Sequence, residues 1–417
     1  MSQLRLLIVS LNYAPEPTAT GKYTGEMAAW LARQGHEVHA IAGFPHYPQW
    51  QIEDAYKGRG WFVESFEGVT TYRVPLYVPS MKTLSAKNRI LMESSFSVSS
   101  LRWWMSFLFT KRFDVVIGIC PPLQDAAIPW FYKSLRGVPF VFHIQDLQVD
   151  AALNLGMLSS LVLKKLLLSS EAFLLNRATK ISTITEAMRK RIIQKGIPET
   201  KTILFPNWAD TSFVQPKDRN NPLRKKLGAG KEDMLVVYAG NMGEKQGLEI
   251  VLDAAERLKS LSHIKFALIG QGAKRETLEQ EAISRNLSNL RFFDVFPWEQ
   301  VPDMLAAGDI HLVIQKRKAG DLVMPSKMTN IMAAGRPTLA TAEAGTALYE
   351  VLETYQAGVS CTPENPDALA ASIKTMANLS EKCIQMGHNA RQYAERFIAK
   401  GAILAAFESE LKHIAEQ

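Results

Sequence analysis

The feature that most constrains this chain is a rhythm met twice. Short runs of β-branched and aliphatic residues alternate with amphipathic stretches of helix length, first over residues 4–185 and again over 234–341. A strand that is apolar along its whole length must be covered on both faces, and a βα alternation does this by laying crossover helices on either side of a parallel sheet. In the first block, 4–13, 37–43, 69–74, 114–120, 139–145 and 180–185 read as strands, with a helix over 21–34 and others between most of them. A polar, Pro-bearing stretch at 207–233 interrupts the rhythm. Then 234–239, 264–270, 290–294, 310–315 and 337–341 read as strands, alternating with helices that start at Leu248, Ala273, Trp298, Pro325 and Thr346. The central break argues against a single eight-fold barrel. The pattern predicts an α/β chain of two doubly wound, Rossmann-like domains, 1–205 and 206–386, followed by one long helix over 387–417 that is free to cross back to the first domain.

Composition narrows the class. With 47% hydrophobic and 21% charged positions the chain is neither disordered nor collagen-like. Its most apolar neighbourhoods, 94–110 and 161–175, are interrupted by Arg102, Lys164, Lys165 and Glu171, so neither supplies the roughly 18 unbroken apolar residues of a spanning helix. No signal-peptide cleavage pattern follows Met1, and the expected location is the cytosol. Cys120, Cys361 and Cys383 are odd in number and far apart, which reads as reduced thiols instead of a disulfide framework or a zinc site. The net charge of +7 sits in the first half: residues 1–200 hold 22 Lys/Arg against 15 Asp/Glu, residues 201–417 hold 26 against 26. Within 78–113, Lys82, Lys87, Arg89, Arg102, Lys111 and Arg112 face only Glu93 and are interleaved with Trp103, Trp104, Phe107 and Phe109. Such a stretch suits an anionic membrane surface, where each Lys or Arg gains about 1 kcal/mol and Trp sits at headgroup level. It reads equally as a helix packed on a sheet with its basic side in water. No helix-turn-helix, finger or RNP pattern accompanies the charge, so no nucleic-acid partner is expected.

Ligands of open α/β sheets bind beyond the carboxyl ends of the strands, and two such domains facing each other would bring both sets of βα loops to one cleft. The first loop, 14–23, opens a helix at Gly21, whose free N–H groups and dipole suit a phosphate, although an ordinary βα turn has the same look. It is no Walker loop, because Glu16 stands at the required glycine and Tyr23 follows Lys22. A second loop holds Gly240, Asn241, Met242, Gly243, Lys245 and Gly247, glycines for close backbone approach and a lysine for a pyrophosphate. It lacks the G-x-G-x-x-G of a dinucleotide cofactor. Gly270-Gln271-Gly272 is either a tight turn or a ligand contact. In the fourth loop Lys316, Arg317 and Lys318 read as solvated, whereas Pro325, Ser326 and Lys327 open a helix suited to clamping a diphosphate and a sugar. In the first domain His143, Asp146 and Asp150 end an apolar strand. No Asp-x-Asp and no His/Cys cluster of ligand spacing occurs, so a diphosphate is expected to be met by lysines and helix dipoles instead of Mg²⁺, with no metal and no cofactor.

Taken in order, Gly-Lys-Tyr-Thr-Gly-Glu-Met from Gly21, His-Ile-Gln-Asp from His143, Phe-Pro-Asn-Trp from Phe205, the Gly240 loop, and Pro-Ser-Lys-Met-Thr-Asn-Ile-Met-Ala from Pro325 resemble the family-4 glycosyltransferases, nearly end to end. Within them the chain looks most like the colanic-acid-type fucosyltransferases of bacterial exopolysaccharide assembly. The resemblance implies the GT-B fold, the acceptor in the first domain, a nucleotide-sugar in the second, no metal, and retention of anomeric configuration. It places Gly21 near the donor phosphate, His143 near the reacting sugar with Asp146 beside it, Lys245 on the diphosphate, and Lys327 in the sugar and phosphate clamp. Asn330 stands where many relatives carry the second Glu of a Glu-x7-Glu motif. Leu322 stands at the first, with Asp321 beside it, and Asn241 replaces a common Arg. The implied reaction moves L-fucose from GDP-fucose to a polyprenyl-diphosphate-linked sugar at the inner face of the plasma membrane. A UDP-sugar-dependent N-acetylhexosaminyltransferase and a noncatalytic sugar-nucleotide-binding subunit are the alternatives.

Overall fold

The computed structural model describes residues 3–17, 19–83, 85–154, 161–317 and 326–416. They form two compact units, Met1–Pro206 with Leu404–Gln417, and Asn207–Ile403.

The first unit holds β1 (Arg5–Ser10), α1 (Ala19–Arg33), β2 (Glu37–Gly43), β3 (Phe62–Phe66), β4 (Val69–Val74), α2 (Ala86–Phe107), β5 (Val115–Cys120), α3 (Ala127–Arg136), β6 (Phe140–Ile144), α4 (Gln148–Asn154), α5 (Leu161–Arg177), β7 (Lys180–Thr183), α6 (Glu186–Gln194) and β8 (Thr202–Leu204). The sheet order is β3-β4-β2-β1-β5-β6-β7-β8. All neighbours are parallel except the β3–β4 hairpin. β5 and β6 are buried at every residue, as strands covered on both faces must be. The edge strand β3 alternates instead, and its Glu64 accepts from Arg73 Nε at 2.5 Å. That guanidinium is fully buried, and its other nitrogens donate to the carbonyls of Gly43 and Ala14, so none of its charge is left uncompensated.

The second unit holds α7 (Pro222–Lys226), β9 (Met234–Ala239), α8 (Glu249–Arg257), β10 (Ile264–Ile269), α9 (Arg275–Ser284), β11 (Leu290–Phe293), α10 (Val301–Ala307), β12 (Ile310–Val313), α11 (Ser326–Ala333), β13 (Thr338–Thr341), α12 (Ala347–Tyr355), β14 (Gly358–Cys361), α13 (Pro366–Ala377) and α14 (Ser380–Phe397). Its six parallel strands run β11-β10-β9-β12-β13-β14, the doubly wound order with its switch between β9 and β12. In the first unit the switch lies between β1 and β5.

The tail departs from the expectation of one helix over 387–417. α14 ends at Phe397 and α15 (Lys400–Ala415) follows, because the intervening backbone pairs with the start of the second unit: Ala209 N–H donates to Ile398 O and Lys400 N–H to Ala209 O. The second unit therefore runs to Ile403, not to residue 386. From Leu404 onward α15 belongs to the first unit, where Glu408 meets His36 Nε2 at 3.1 Å and Phe407 stacks on Phe205 at 3.9 Å. The close approach of α14 to α11 rests on Gly387, where a Cβ would lie 2.3 Å from Gly335 O.

Candidate active site

In the second unit two glycine loops leave neighbouring strands on one side of the switch point and lock together. Gly240 N–H donates to Ile269 O, Met242 N–H to Gln271 O, and Lys274 N–H to Met242 O. A Cβ on Gly270 would lie 1.9 Å from Gly240 O, and one on Gly272 would lie 2.5 Å from Met242 O. Both glycines also sit at φ near +150°, which side chains rarely adopt. Tyr238 at the end of β9 fixes the loop from below by donating its hydroxyl to Asn241 O at 2.6 Å.

Behind this loop lies Lys327. Its Nζ is buried, has no hydrogen-bond partner among the described residues, and rests 4.0 Å over the Tyr238 ring. A Cβ on Gly240 would come within 3.2 Å of it. Burial pulls its pKa from 10.5 down to about 7. A cation held without a counter-ion next to a glycine loop is the strongest anion-seeking feature of the unit. Lys245 is exposed on the same loop, and its carbonyl accepts from Lys316 N–H at 3.1 Å. Glu244 is clasped by Lys274 at 2.7 Å and Lys316 at 2.5 Å, and hydrogen bonds from Lys274 and then Lys316 hold its pKa down to about 2. Four lysines therefore converge on one loop against two carboxylates, Glu244 and, 3.9 Å from Lys274, Glu249.

The other residues expected in this half are placed less directly. Gly243 N–H is closed off by Gln246 Oε1 at 3.1 Å, and the Asn241 side chain is exposed beside it. Gln271 donates to Asp294 at 2.7 Å. Asn330 is half-buried on α11, one turn beyond Lys327. Pro325, Asp321 and Leu322 lie outside the described residues, as does the Ser326 side chain.

In the first unit the switch point carries a cavity of about 140 Å³, bounded by Asn12 after β1, Gly21 on α1, Pro121 after β5, the His46, Tyr47 and Trp50 side chains after β2, and Arg89 and Glu93 of α2. The sequence reading did not select the 44–50 loop, although Phe-Pro-His-Tyr-Pro-Gln-Trp after a strand is a legible aromatic signal. Glu16 sits under this cavity. It accepts from the N–H groups of His46 at 3.1 Å and Tyr47 at 3.0 Å and from Asn12 Nδ2 at 3.0 Å, and lies 3.5 Å from His46 Nδ1. Burial pushes its carboxyl up, while His46 and these donors pull it back. Gly21 is needed because of this carboxylate: a Cβ there would lie 2.5 Å from Glu16 Oε2. The start of α1 thus already has an anion of the chain's own beside it. Burial also raises the Glu93 pKa against the pull of Arg89 and a hydrogen bond from Gln148. Two aromatic rings, a guanidinium and a carboxyl suit one polar ring of sugar size.

His143 is not on that cavity. It is fully buried, with Nδ1 2.9 Å from Ser182 Oγ and Nε2 3.1 Å from Gln145 Nε2. The amide nitrogen can only donate, so Nε2 accepts and the ring proton sits on Nδ1. Burial pulls its pKa down to about 3, so it trades no proton near neutrality and acts on its surroundings through Gln145. Asp146 is half-buried and lines, with Cys120 and Glu171, a cavity of about 10 Å³, room for one water. Asp150 is tied to Lys195 at 2.5 Å and Arg191 at 2.9 Å.

Comparison with known proteins agrees with this architecture. Residues 18–208 match the profile described as Glycosyl transferase 4-like domain, and residues 220–393 that described as Glycosyl transferases group 1. A protein of Escherichia coli K12 named for colanic acid biosynthesis, the glycosyl transferase WcaI, is 40% identical over 420 residues, covering 98% of this chain and all of its own. Among solved structures, sucrose-phosphate synthase from Thermosynechococcus elongatus superposes with a TM-score of 0.76 at 15% identity, over 99% of both chains. HepE of Anabaena, in complex with UDP and glucose, superposes with a TM-score of 0.71 at 15% identity, over 99% of this chain and all of its own. Two doubly wound sheets, parallel but for the β3 edge, and family matches over nearly the whole length place the chain in the family-4 glycosyltransferases, enzymes of the GT-B fold.

Proposed function

We propose that this glycosyltransferase moves L-fucose from GDP-fucose, with retention of configuration and without a metal, to a polyprenyl-diphosphate-linked sugar, in assembly of a colanic-acid-type exopolysaccharide at the cytoplasmic face of an anionic membrane. The observation that carries the donor half is the buried, unpartnered Lys327 ammonium behind Gly240. A nucleoside diphosphate leaving the sugar develops negative charge, and a preorganised cation in a site of low dielectric stabilises that charge most as it forms. Lys327 and Lys245 fill this role, and the glycines of the Gly240 loop let the backbone come close to the diphosphate where no side chain intervenes. The family resemblance assigns positioning of the transferred sugar to His143, acting through Gln145, and to Asp146. The cavity of the first unit takes the acceptor sugar. The 40% identity to WcaI supports the colanic-acid assignment.

A UDP-N-acetylhexosamine donor is the second reading, favoured by the UDP bound to HepE. A thermal-shift panel with GDP, UDP, GDP-fucose and UDP-N-acetylglucosamine separates the two, since a ligand of the native state at one hundred times its dissociation constant stabilises by about 2.7 kcal/mol. Stabilisation by GDP and GDP-fucose is the expected result. A response to the UDP ligands alone moves the enzyme to the other donor, and silence from all four overturns the donor site.

A further inference from the structure

We propose that the outer face of α2, α3 and α5 is the surface that lies on an anionic lipid bilayer, and that it hands a lipid-linked acceptor to the cavity beside β1 and β5. The inference rests on the reading of a lipid-linked acceptor and extends it to a defined surface. The chains from β4 to β5, β5 to β6 and β6 to β7 all step the same way along the sheet, so right-handed crossovers put their helices on one face. Ring contacts join them: Trp104 with Tyr132 between α2 and α3 at 5.3 Å, and Trp130 with Phe173 between α3 and α5 at 4.8 Å.

Two independent properties of that face coincide. Of the 25 large apolar side chains exposed among the described residues, 12 lie on these three helices, including Leu101, Met105, Phe131, Val162 and Leu166. An apolar surface of this extent calls for a partner. The charges are also of one sign. The three helices carry two acids, and both are turned inward: Glu171 is buried against Lys195 at 2.6 Å, and Glu93 accepts from Gln148 at the cavity. Lys87, Arg102, Lys133, Arg136, Lys164 and Lys165 have no carboxylate partner among the described residues, whereas basic residues of the second unit such as Lys217, Arg257 and Arg285 do. Lys133 and Arg136 donate to backbone carbonyls, but no carboxylate among the described residues neutralises any of the six, and apolar side chains mixed with such cations match the headgroup region of an anionic leaflet, apolar groups at the acyl boundary and cations at the phosphates. α2 links this face to the chemistry. Arg89 and Glu93 line the cavity, while Leu91, Val98 and Leu101 of the same helix face outward. A lipid held in the bilayer can therefore present its polar head at the cavity without leaving the membrane.

The test is flotation of the full-length protein with vesicles of equal parts phosphatidylglycerol and phosphatidylcholine, and with pure phosphatidylcholine. The wild type is expected to float with the anionic vesicles only. Lys164→Glu with Lys165→Glu is expected to weaken binding by at least tenfold, each charge being worth about fivefold near the surface. Phe131→Gln with Leu166→Gln is expected to weaken it with no change in charge. Lys374→Glu with Lys382→Glu, on the second unit, makes the same charge change as the first pair and is expected to leave binding nearly intact. All positions are surface ones, and an unchanged Tm checks folding. Failure of the wild type to float overturns the membrane reading itself. Equal loss in the control pair, or no loss in the α3 and α5 variants, overturns this face while the membrane reading stands. Loss with charge reversal but not with the apolar variants reduces the contact to electrostatic adsorption without apolar insertion and also overturns the proposal. Transfer to a water-soluble acceptor analogue stays unchanged in every variant, which separates docking from catalysis.

Discussion

Replacing Lys327 by Met removes a buried charge and keeps the side-chain length. The ammonium titrates at about 7 in the folded chain against 10.5 for a free lysine. That difference of about 3.5 units, at about 1.36 kcal/mol per unit, means the charged side chain costs the fold roughly 5 kcal/mol. The sign follows from proton counting. Between pH 7 and 10.5 the unfolded chain holds a proton that the folded chain has released, so stability rises with pH through this window and the full cost is present below pH 7. Lys327→Met is therefore expected to raise the melting temperature of the second unit on the order of 10 °C at pH 6, with less than half of that gain left at pH 9. The same variant is expected to lose nucleoside-diphosphate binding, because the cost is what the anion relieves. In the wild type GDP restores the lysine's proton, so calorimetry at pH 8 in buffers of different ionisation enthalpy should report proton uptake on binding, absent from the variant. An equal gain in melting temperature at pH 6 and pH 9, or binding without proton uptake, refutes the reasoning.

Three further outcomes follow from the same loops. Gly270→Ala places a Cβ 1.9 Å from Gly240 O at a φ of +150°, so it is expected to displace the Gly240 loop and abolish nucleotide-dependent stabilisation in the thermal-shift panel, with the first unit's melting unaffected. Lys245→Ala is expected to lower turnover by orders of magnitude with the fold intact, since the side chain is exposed; near-normal turnover removes it from the mechanism. Glu244→Gln frees Lys316 and leaves Lys274 only its longer, 3.9 Å pair with Glu249, and should tighten GDP binding while steepening its dependence on salt; unchanged affinity would mean that these lysines do not face the diphosphate.

What the sequence made legible was what repeats. The parallel core strands are apolar throughout, and the glycine loops follow them at fixed places, so β1, β5, β6, β9 and β10 and the Gly240 and Gly270 loops could be read directly. β3, β8 and β14 were not, for they are short, lie at sheet edges and mix polar with apolar positions. The break between α14 and α15 was illegible for another reason: nothing in the residues 397–400 stops a helix, and the stop comes from pairing with Ala209, far away in sequence. Site residues divide along the same line. Lys327 was legible as a basic residue opening a helix, but not as an unpaired one, since that depends on Tyr238 and Gly240 closing over it.

Gly21 and His143 show how motif and chemistry separate. A glycine opening a helix after a strand reads as a phosphate site, yet close approach of a buried carboxylate demands a glycine just as strictly, and Glu16 supplies that carboxylate. A histidine ending an apolar strand reads as a reacting group, but Ser182 and Gln145 use both of its nitrogens and burial removes its charge. In both cases residue type and spacing were informative about where the strand ends, and silent about which polar group the fold turns toward it. The aromatic 44–50 loop is the converse. It belongs to no phosphate or metal pattern and passes as a turn, yet it brings His46, Tyr47 and Trp50 to the switch point between β1 and β5, where the topology of an open sheet concentrates ligand contacts. Reading such a chain by strand order first, and by motif second, selects that loop.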